Sequence, residues 1–283
     1  MTDERRLQQD IAYVRARFRR ELGREPDLVN PQTFNEKVQW LKLYRRTPGL
    51  NQLADKWAVR RLIEQKIGSR YLNELYGVFD TAEALEASLG RLPDSFVVKP
   101  NHWSGAVWRV HAQSQFDWPK ARGEMNALLG ASFYDTQQGE WCYHGTRPRL
   151  LAERFLKDDS GELRDYKLFC FDGRVHYVQV HVNRFAEHAE CFYDRNWNRQ
   201  SWAMMHLQYQ EFIARPANLP EMIEVAERLS AGHPFLRVDL CNAAGRVVFG
   251  ELTLFPYSGW NARLPAAIDR YLGSLIPLGE PLP

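Results

Sequence analysis

Two carboxylates near the end of the chain, Asp239 and Glu251, stand in a stretch that alternates like a β-hairpin, LRVDLCNAAGRVVFGELTLF over residues 236–255. Side chains two apart on a strand share a face. Arg237 and Asp239 therefore share one face of the first strand, and Val247, Phe249, Glu251 and Thr253 one face of the second. A loop centred near Ala244 predicts Arg237 opposite Glu251, with Asp239 diagonal to it and within reach of a shared ion. A hard cation suits such oxygens, and Mg2+ takes one or two protein carboxylates together with substrate phosphates. Spacing alone favours the plainer alternative, an ordinary hairpin with its polar face in water.

Three lysines stand where an anion would be useful. Lys99 ends the apolar run FVVK and precedes Pro100 and the loop NHWSG at 101–105. Loop N–H groups and an ammonium facing one anion make a phosphate site, although many loops share this form. Lys56 falls in the first turn of a helix predicted from LADKWAVRRLIEQKIG, with Asp55 as N-cap and Gly68 as stop. A cation there opposes the helix dipole, so either an anion compensates it or it points to water. Lys167 lies in DYKLFCFDGRVHYVQVHV, two alternating runs around the turn pair Asp172-Gly173. Pairing Phe171 with Arg174 predicts Lys167 opposite Val178, on a face shared with Phe169 and Phe171. Such a lysine meets a charged ligand or snorkels to an edge.

The elements that must position these groups follow in order. Residues 3–22 read as a charged helix, with Ile11, Val14, Phe18 and Leu22 at helical spacing. Thr33 and Glu36 have capping-box spacing before a second helix. A short strand is predicted within 71–80, a helix over TAEALEASLG, and strand, loop, strand over FVVKPNHWSGAVWRVH. Asp117 caps a helix running to about Leu129, and 130–149 form an irregular aromatic linker. LLAERFL reads as a buried strand holding Glu153 and Arg154, and CFYDRNWN as a strand and turn. LPEMIEVAERLSAG is a helix with Pro220 in its first turn, and a last helix spans about Leu264 to Ile276.

Composition bounds the reading. A chain of 283 residues can bury a full core and divides naturally into subdomains. Its net charge of +2 gives no argument for a nucleic-acid partner. No run of about 18 apolar residues predicts a membrane span, and the start, MTDERRLQQD, lacks the apolar core of a signal peptide. Cys142, Cys170, Cys191 and Cys241 have no paired spacing, which predicts free thiols and a cytoplasmic setting and argues against zinc. The scattered His and Ser read as structural.

From about Asn30 to the final helix the chain resembles the ATP-grasp superfamily and, more narrowly, the TupA-like family, associated with teichuronopeptide and other surface-polysaccharide biosynthesis. The matching blocks are NPQTFNEKVQWLKLY, LADKWAVR, LPDSFVVKPNHWSG, DDSGELRDYKLFCFDG, FYDRNWN and PFLRVDL…GRVVFGELTLFPYSG. The resemblance implies an α+β ATP-grasp fold, two α/β subdomains whose antiparallel sheets hold a nucleotide between them. The expected division is a helical N-terminal extension at 1–50, a small subdomain at 51–148 and a metal-bearing C-terminal subdomain at 149–283. It further implies that Lys56 and Lys99 contact the ATP phosphates, under a loop that includes His102, Trp103, Ser104 and Gly105. Glu153, Arg154 and Leu156 match the adenine hinge, and either Asp159 or Glu162 the ribose acid. Lys167 faces the phosphates, Arg237 stabilises the γ-phosphoryl group in transfer, and Asp239, Glu251 and Thr253 hold Mg2+. Arg184, Tyr257 and Ser258 are substrate candidates.

The chain departs from the family pattern in places. Thr253 stands where many ATP-grasp ligases carry Asn, although TupA-like sequences also tend to have Thr. Trp103 replaces a glycine of the phosphate loop, so close backbone approach gives way to covering the nucleotide or stacking on a sugar. VHVNR replaces a more acidic pattern, which touches the acceptor site at Asn183. Only residues 1–50 precede the ADK element, which points to an extended or partner-supplied acceptor site, with a biosynthetic complex as one source. The activity implied is ATP- and Mg2+-dependent ligation of a carboxylate to an amine through an acyl phosphate, on a small-molecule or glycan substrate. Its rivals are a sugar phosphotransferase on the same nucleotide site and a non-catalytic nucleotide- or glycan-binding protein.

Overall fold

The computed structural model describes residues 3–47, 49–134, 139–157, 163–182 and 187–279. The fold is α+β, with two sheets that face one another across a polar seam. Five helices precede the second strand: α1 (Asp3–Leu22), α2 (Phe34–Tyr44), α3 (Asn51–Ala54), α4 (Val59–Ile67) and α5 (Ala82–Glu86). Thr33 and Glu36 form the capping box of α2 as the sequence predicts. The predicted helix from Asp55 begins later, at Val59, because Asp55 ends α3. Its Oδ1 accepts from the N–H groups of Trp57 and Ala58, at 2.8 and 3.1 Å. The predicted helix through Gly90 is shorter: α5 stops at Glu86, and Leu89–Arg91 form a 3-10 turn.

The first sheet contains β1 (Leu75–Phe79), β2 (Phe96–Pro100), β3 (Trp108–Val110) and β4 (Leu150–Arg154), in the order β1-β4-β2-β3. β4 follows residue 148 in sequence, yet it pairs antiparallel with β1 and β2. Helix α6 (Trp118–Leu129), capped by Asp117, covers this sheet with α5, burying Ala82, Leu85, Ala121 and Met125 against Phe96 and Val98.

The second sheet contains β5 (Asp165–Phe171), β6 (Arg174–Val182), β7 (Ala189–Asp194), β8 (Leu207–Gln208), β9 (Phe235–Ala243) and β10 (Arg246–Thr253). Their order is β10-β9-β5-β6-β7-β8, antiparallel except for the β7–β8 pair. One face is apolar and packs on α7 (Leu219–Ser230), whose Met222, Val225, Ala226 and Leu229 are buried. Both tight hairpins turn on two left-handed residues, Asp172-Gly173 and Ala244-Gly245, the arrangement that matches strand twist.

Bulges correct both predicted registers. Ala243 pairs with Arg246, and the pairing slips by one residue between Phe249 and Glu251. Asp239 is therefore directly opposite Glu251 rather than diagonal to it, and Arg237 is opposite Thr253. Gly250 makes this slip possible, since a Cβ there would lie 3.1 Å from the Asp239 carbonyl oxygen. Likewise a slip between Phe169 and Cys170 puts Lys167 opposite Gln179, not Val178.

The N-terminal helices are tied to the far end of the chain. The backbone N–H of Asn35 donates to Asp269 Oδ1 at 2.9 Å, joining α2 to α8 (Ala266–Ser274). Gln39 Nε2 donates to the carbonyls of Ser258 and Gly259, at 2.9 and 3.0 Å. Lys42, fully buried, donates to the Ser258 carbonyl and hydroxyl, at 2.7 and 2.9 Å. These bonds hold a turn in which Tyr257 and Ser258 have φ of 50° and 55°. Left-handed backbone costs a non-glycine residue roughly 1–2 kcal/mol, so the anchors fix a conformation that the local sequence disfavours.

Gly273 is where α8 meets the start of α2; a Cβ there would lie 2.2 Å from the Gln32 carbonyl oxygen. Gly273→Ala raises helix propensity by about 1 kcal/mol, yet the clash with backbone costs about 1–3 kcal/mol or more. Urea unfolding should show net destabilisation; a more stable variant would show that α2 and α8 are not pressed together here.

Candidate functional site

The polar face of the second sheet explains why charged residues occupy buried central strands. Cross-strand register sets Glu251, Asp239, Lys167 and Gln179 in one row across β10, β9, β5 and β6. The next row runs Cys241, Asp165, His181 and Glu190. Asp239, Lys167 and Arg237 are 4, 7 and 6% exposed. Charges so deeply placed require partners.

They find them in one another. Lys167 Nζ lies 2.5 Å from Asp239 Oδ2. Arg237 holds both oxygens of Asp239, through Nε and Nη2 at 2.7 Å each, the bidentate geometry of a strong guanidinium–carboxylate pair. Arg237 Nη2 also reaches Thr253 Oγ1 at 3.0 Å and Glu251 Oε1 at 3.4 Å. Burial by itself would raise the Asp239 carboxyl, but Arg237 and Lys167 outweigh it and hold it below its ordinary value. Burial likewise opposes the Glu251 carboxylate, and Lys56, Lys167 and Arg237 overcome it. Against the effect of burial, Asp239 and Glu251 raise the affinity of Arg237 for its proton.

The first sheet and the α3–α4 connection supply the opposite wall. Lys56 Nζ donates to the Trp103 carbonyl at 2.7 Å and lies 3.6 Å from Glu251 Oε2. Its backbone N–H donates to the Asn101 carbonyl at 3.1 Å. Lys99 Nζ, on β2, lies 3.2 Å from Glu153 Oε2 on β4. Arg60 from α4 lies 3.0 Å from Glu153 Oε1 and donates to the Asn73 carbonyl at 2.7 Å. Burial opposes the Glu153 carboxylate, but Lys99 and Arg60 keep it below its ordinary value. Lys56, Arg60, Lys99, Leu151, Glu153, Phe249 and Gly250 line a space of about 20 Å3 between the sheets, room for one water.

The remaining residues singled out from sequence divide. His102 is buried, with Nε2 3.0 Å from the Leu128 carbonyl and Nδ1 3.3 Å from Asn101 Oδ1. Trp103 sends its ring edge-on to Phe133, centroids 5.0 Å apart, while its carbonyl faces Lys56. Ser104 and Gly105 are exposed, Gly105 with φ of 82°. Glu153 points into the seam; Arg154 points outward to Glu74 at 2.7 Å; Leu156 is half-buried beyond β4. Thr253 joins the Arg237 network, and Ser258 turns toward Lys42. Tyr257 Oη meets Gln179 Nε2 at 2.9 Å, His181 Nε2 at 3.3 Å and Glu190 Oε2 at 3.4 Å. Asp159, Glu162, Asn183 and Arg184 lie outside the described residues.

Sequence reasoning missed Arg60, Gln179, Glu190 and His181. Arg60 sits one helical turn after Lys56, a spacing that puts both on one side of a helix start. Gln179 and His181 alternate with valines on β6, so a polar stripe was readable there. Glu190 was not, because its role comes from distant backbone: it accepts from the N–H groups of Met204 and Met205, at 2.5 and 2.8 Å.

The seam fits Mg2+ in the chemistry of its donors. Two carboxylates stand directly opposite on neighbouring strands with a hydroxyl beside them, all oxygen ligands of the kind a hard cation takes. The cations now paired with them supply the charge that a bound ion would replace. Of the two acids Glu251 is the more available, since its contacts with lysine and arginine are 3.4 Å or longer.

Asp239→Asn would leave Arg237 and Lys167 buried side by side without their shared anion, a loss of about 3–5 kcal/mol in urea unfolding at pH 7. The native carboxyl titrates below its unfolded value of about 3.9. The stabilisation is therefore complete above about pH 5 and is lost as pH falls through the folded value, where variant and wild type converge. A difference at pH 7 no larger than about 0.5 kcal/mol, typical of surface changes, would contradict this.

No curated protein matches the sequence. Among solved structures the chain is similar to a RimK-domain ATP-grasp protein from Sphaerobacter thermophilus, at 16% identity and a TM-score of 0.45, with 98% of this chain and 96% of that one covered. It is similar to D-alanine–D-alanine ligase from Bacillus anthracis at 17% identity and a TM-score of 0.42, covering 78% of this chain and 62% of that one. Its similarity to the ATP-grasp ligase PsnB complexed with a minimal precursor has 12% identity and a TM-score of 0.43, covering 82% and 61%. The chain thus spans less than two thirds of the length of these two ligases. The model of the TupA-like ATP-grasp family matches residues 36–277, and the chain belongs to that family.

Proposed function

We propose that the seam between the two sheets is the nucleotide site of an ATP-dependent carboxylate–amine ligase. The observation that carries this reading is Lys56, which touches the carbonyl of the Asn101–Gly105 loop on one side and Glu251 on the other. It stands among four further cations, Arg60, Lys99, Lys167 and Arg237, in contact with Glu153, Asp239 and Glu251. A triphosphate is the class of ligand that such an excess of positive charge along the seam suits. Membership of the TupA-like ATP-grasp family supports the same conclusion.

In this reading Lys56 and Lys99 bind phosphate oxygens, and Arg60 and Glu153 orient Lys99. Residues from Glu153 to Leu156 follow the seam outward and form the adenine hinge. Asp239, Glu251 and Thr253 would hold Mg2+, which when bound neutralises charge on the phosphates. Arg237 and Lys167 face the group in transfer. Phosphoryl transfer needs positioning and charge neutralisation more than covalent catalysis by the protein, and these side chains supply both. A substrate carboxylate oxygen attacks the γ-phosphorus, the bond to the β-phosphate oxygen breaks, and ADP leaves. A neutral amine then attacks the acyl carbon, the carbon–oxygen bond to phosphate breaks, and the amide forms with loss of one proton. The proposed pair is a uronic acid or other carboxylated sugar with an amino acid or amino sugar, in surface-polysaccharide or related biosynthesis.

Because the space beside Lys56, Lys99 and Glu153 holds only about 20 Å3, a triphosphate enters there only as the two walls of the seam part. Glu251→Gln should lower ADP release with ATP, Mg2+ and such a pair by roughly 100-fold or more, the scale of losing one transition-state contact, with the fold intact by circular dichroism. Unchanged ADP release would remove Glu251 from the site. A phosphorylated sugar formed without any need for amine would replace the ligase reading with a phosphotransferase.

A further inference from the structure

Three imidazoles meet at the far end of the polar face. His181 lies on β6, His188 just before β7 and His206 just before β8. Their candidate ligand nitrogens all lie within 4.8 Å of one another. His181 Nδ1 is 2.7 Å from His188 Nε2, and the ring centroids of His188 and His206 are 3.7 Å apart. We propose that His181, His188 and His206 form a second metal site, for a borderline divalent ion such as Zn2+, separate from the Asp239–Glu251 pair.

Ligand chemistry sets the two sites apart. Imidazole nitrogen suits zinc, copper or nickel, whereas carboxylate and hydroxyl oxygen suit magnesium. Three protein ligands also leave a fourth position to water or to a substrate oxygen, the pattern of open zinc sites. The surroundings orient the first ligand. His181 is 6% exposed, and its Nε2 lies 3.3 Å from Tyr257 Oη. That hydroxyl accepts from Gln179 Nε2 at 2.9 Å and has Glu190 Oε2 at 3.4 Å to donate to. Its oxygen is thus turned to accept the His181 Nε2–H, which leaves Nδ1 as a lone pair aimed at the other two rings. A metal-binding histidine is oriented in this way through its second nitrogen. An entering ion takes the place of the proton between His181 Nδ1 and His188 Nε2, and the His188 ring stays neutral by carrying that proton on Nδ1 instead.

The plainer reading is a hydrogen-bonded and stacked histidine cluster that binds nothing, and one titration separates the two. The tag-free, EDTA-treated chain is titrated with Zn2+ by calorimetry in excess Mg2+, and with Co2+ by visible spectroscopy. The expected result is one equivalent of Zn2+ and the d–d bands of four-coordinate, nitrogen-bound Co2+. His188→Ala and His206→Ala, both at half-buried positions, should each abolish the bands and the zinc heat. Tyr257→Phe, which keeps all three ligands, should weaken binding by roughly 10- to 100-fold, as losses of orienting groups do. Failure of the wild-type chain to bind Zn2+ overturns the proposal whatever the variants do. So does zinc binding that survives in both histidine variants. The ATP site is untouched by either result.

Discussion

A buried charge must be answered, and around Asp239 that requirement organises the molecule. Its carboxylate is held by Arg237 from its own strand and by Lys167 from the next. Arg237 in turn reaches Glu251 and Thr253, and Glu251 reaches Lys56 on the opposite wall. The chain of contacts runs from the middle of one sheet to the loop that follows β2 in the other. A pair of well-packed apolar residues would stabilise such a core as well or better. The ionic arrangement is costly to assemble, so its presence points to a ligand rather than to stability.

The two faces of the second sheet divide the work. Toward α7 the face is continuous hydrocarbon, with Leu168, Val178, Val238 and Leu240 at 0% exposure, and it supplies the driving force for folding. Toward the first sheet lie the rows that carry charge and imidazole. Because a strand alternates sides residue by residue, every charged position is backed by an apolar neighbour. The rigid face therefore holds the polar face in place.

Regions far from the seam are recruited to shape it. Gln39 and Lys42 of α2 grip the turn at Tyr257 and Ser258, whose left-handed backbone would not persist alone. That turn delivers Tyr257 to Gln179, His181 and Glu190. Helix α2, whose described side chains take no part in the seam's ion pairs, thus helps to set the site by holding the backbone carbonyls of that turn.

By itself the sequence determined the elements and much of the candidate site. Alternation, turn pairs and caps are local signals, and they identify both tight hairpins, the Asp117 cap and the Thr33–Glu36 box. Lys99, Glu153, Lys167, Arg237, Asp239 and Glu251 stood out in the sequence because each breaks or ends an apolar pattern, and Lys56 because it lies at a predicted helix start. Register was not legible, since a single-residue bulge at Gly250 changes who faces whom without changing the alternation on either side. Nor was the histidine cluster, whose members sit on three strand ends that only the sheet order β6-β7-β8 brings together. Only the tertiary structure decided these contacts, because they depend on backbone pairing between segments whose separation along the chain carries no trace of it.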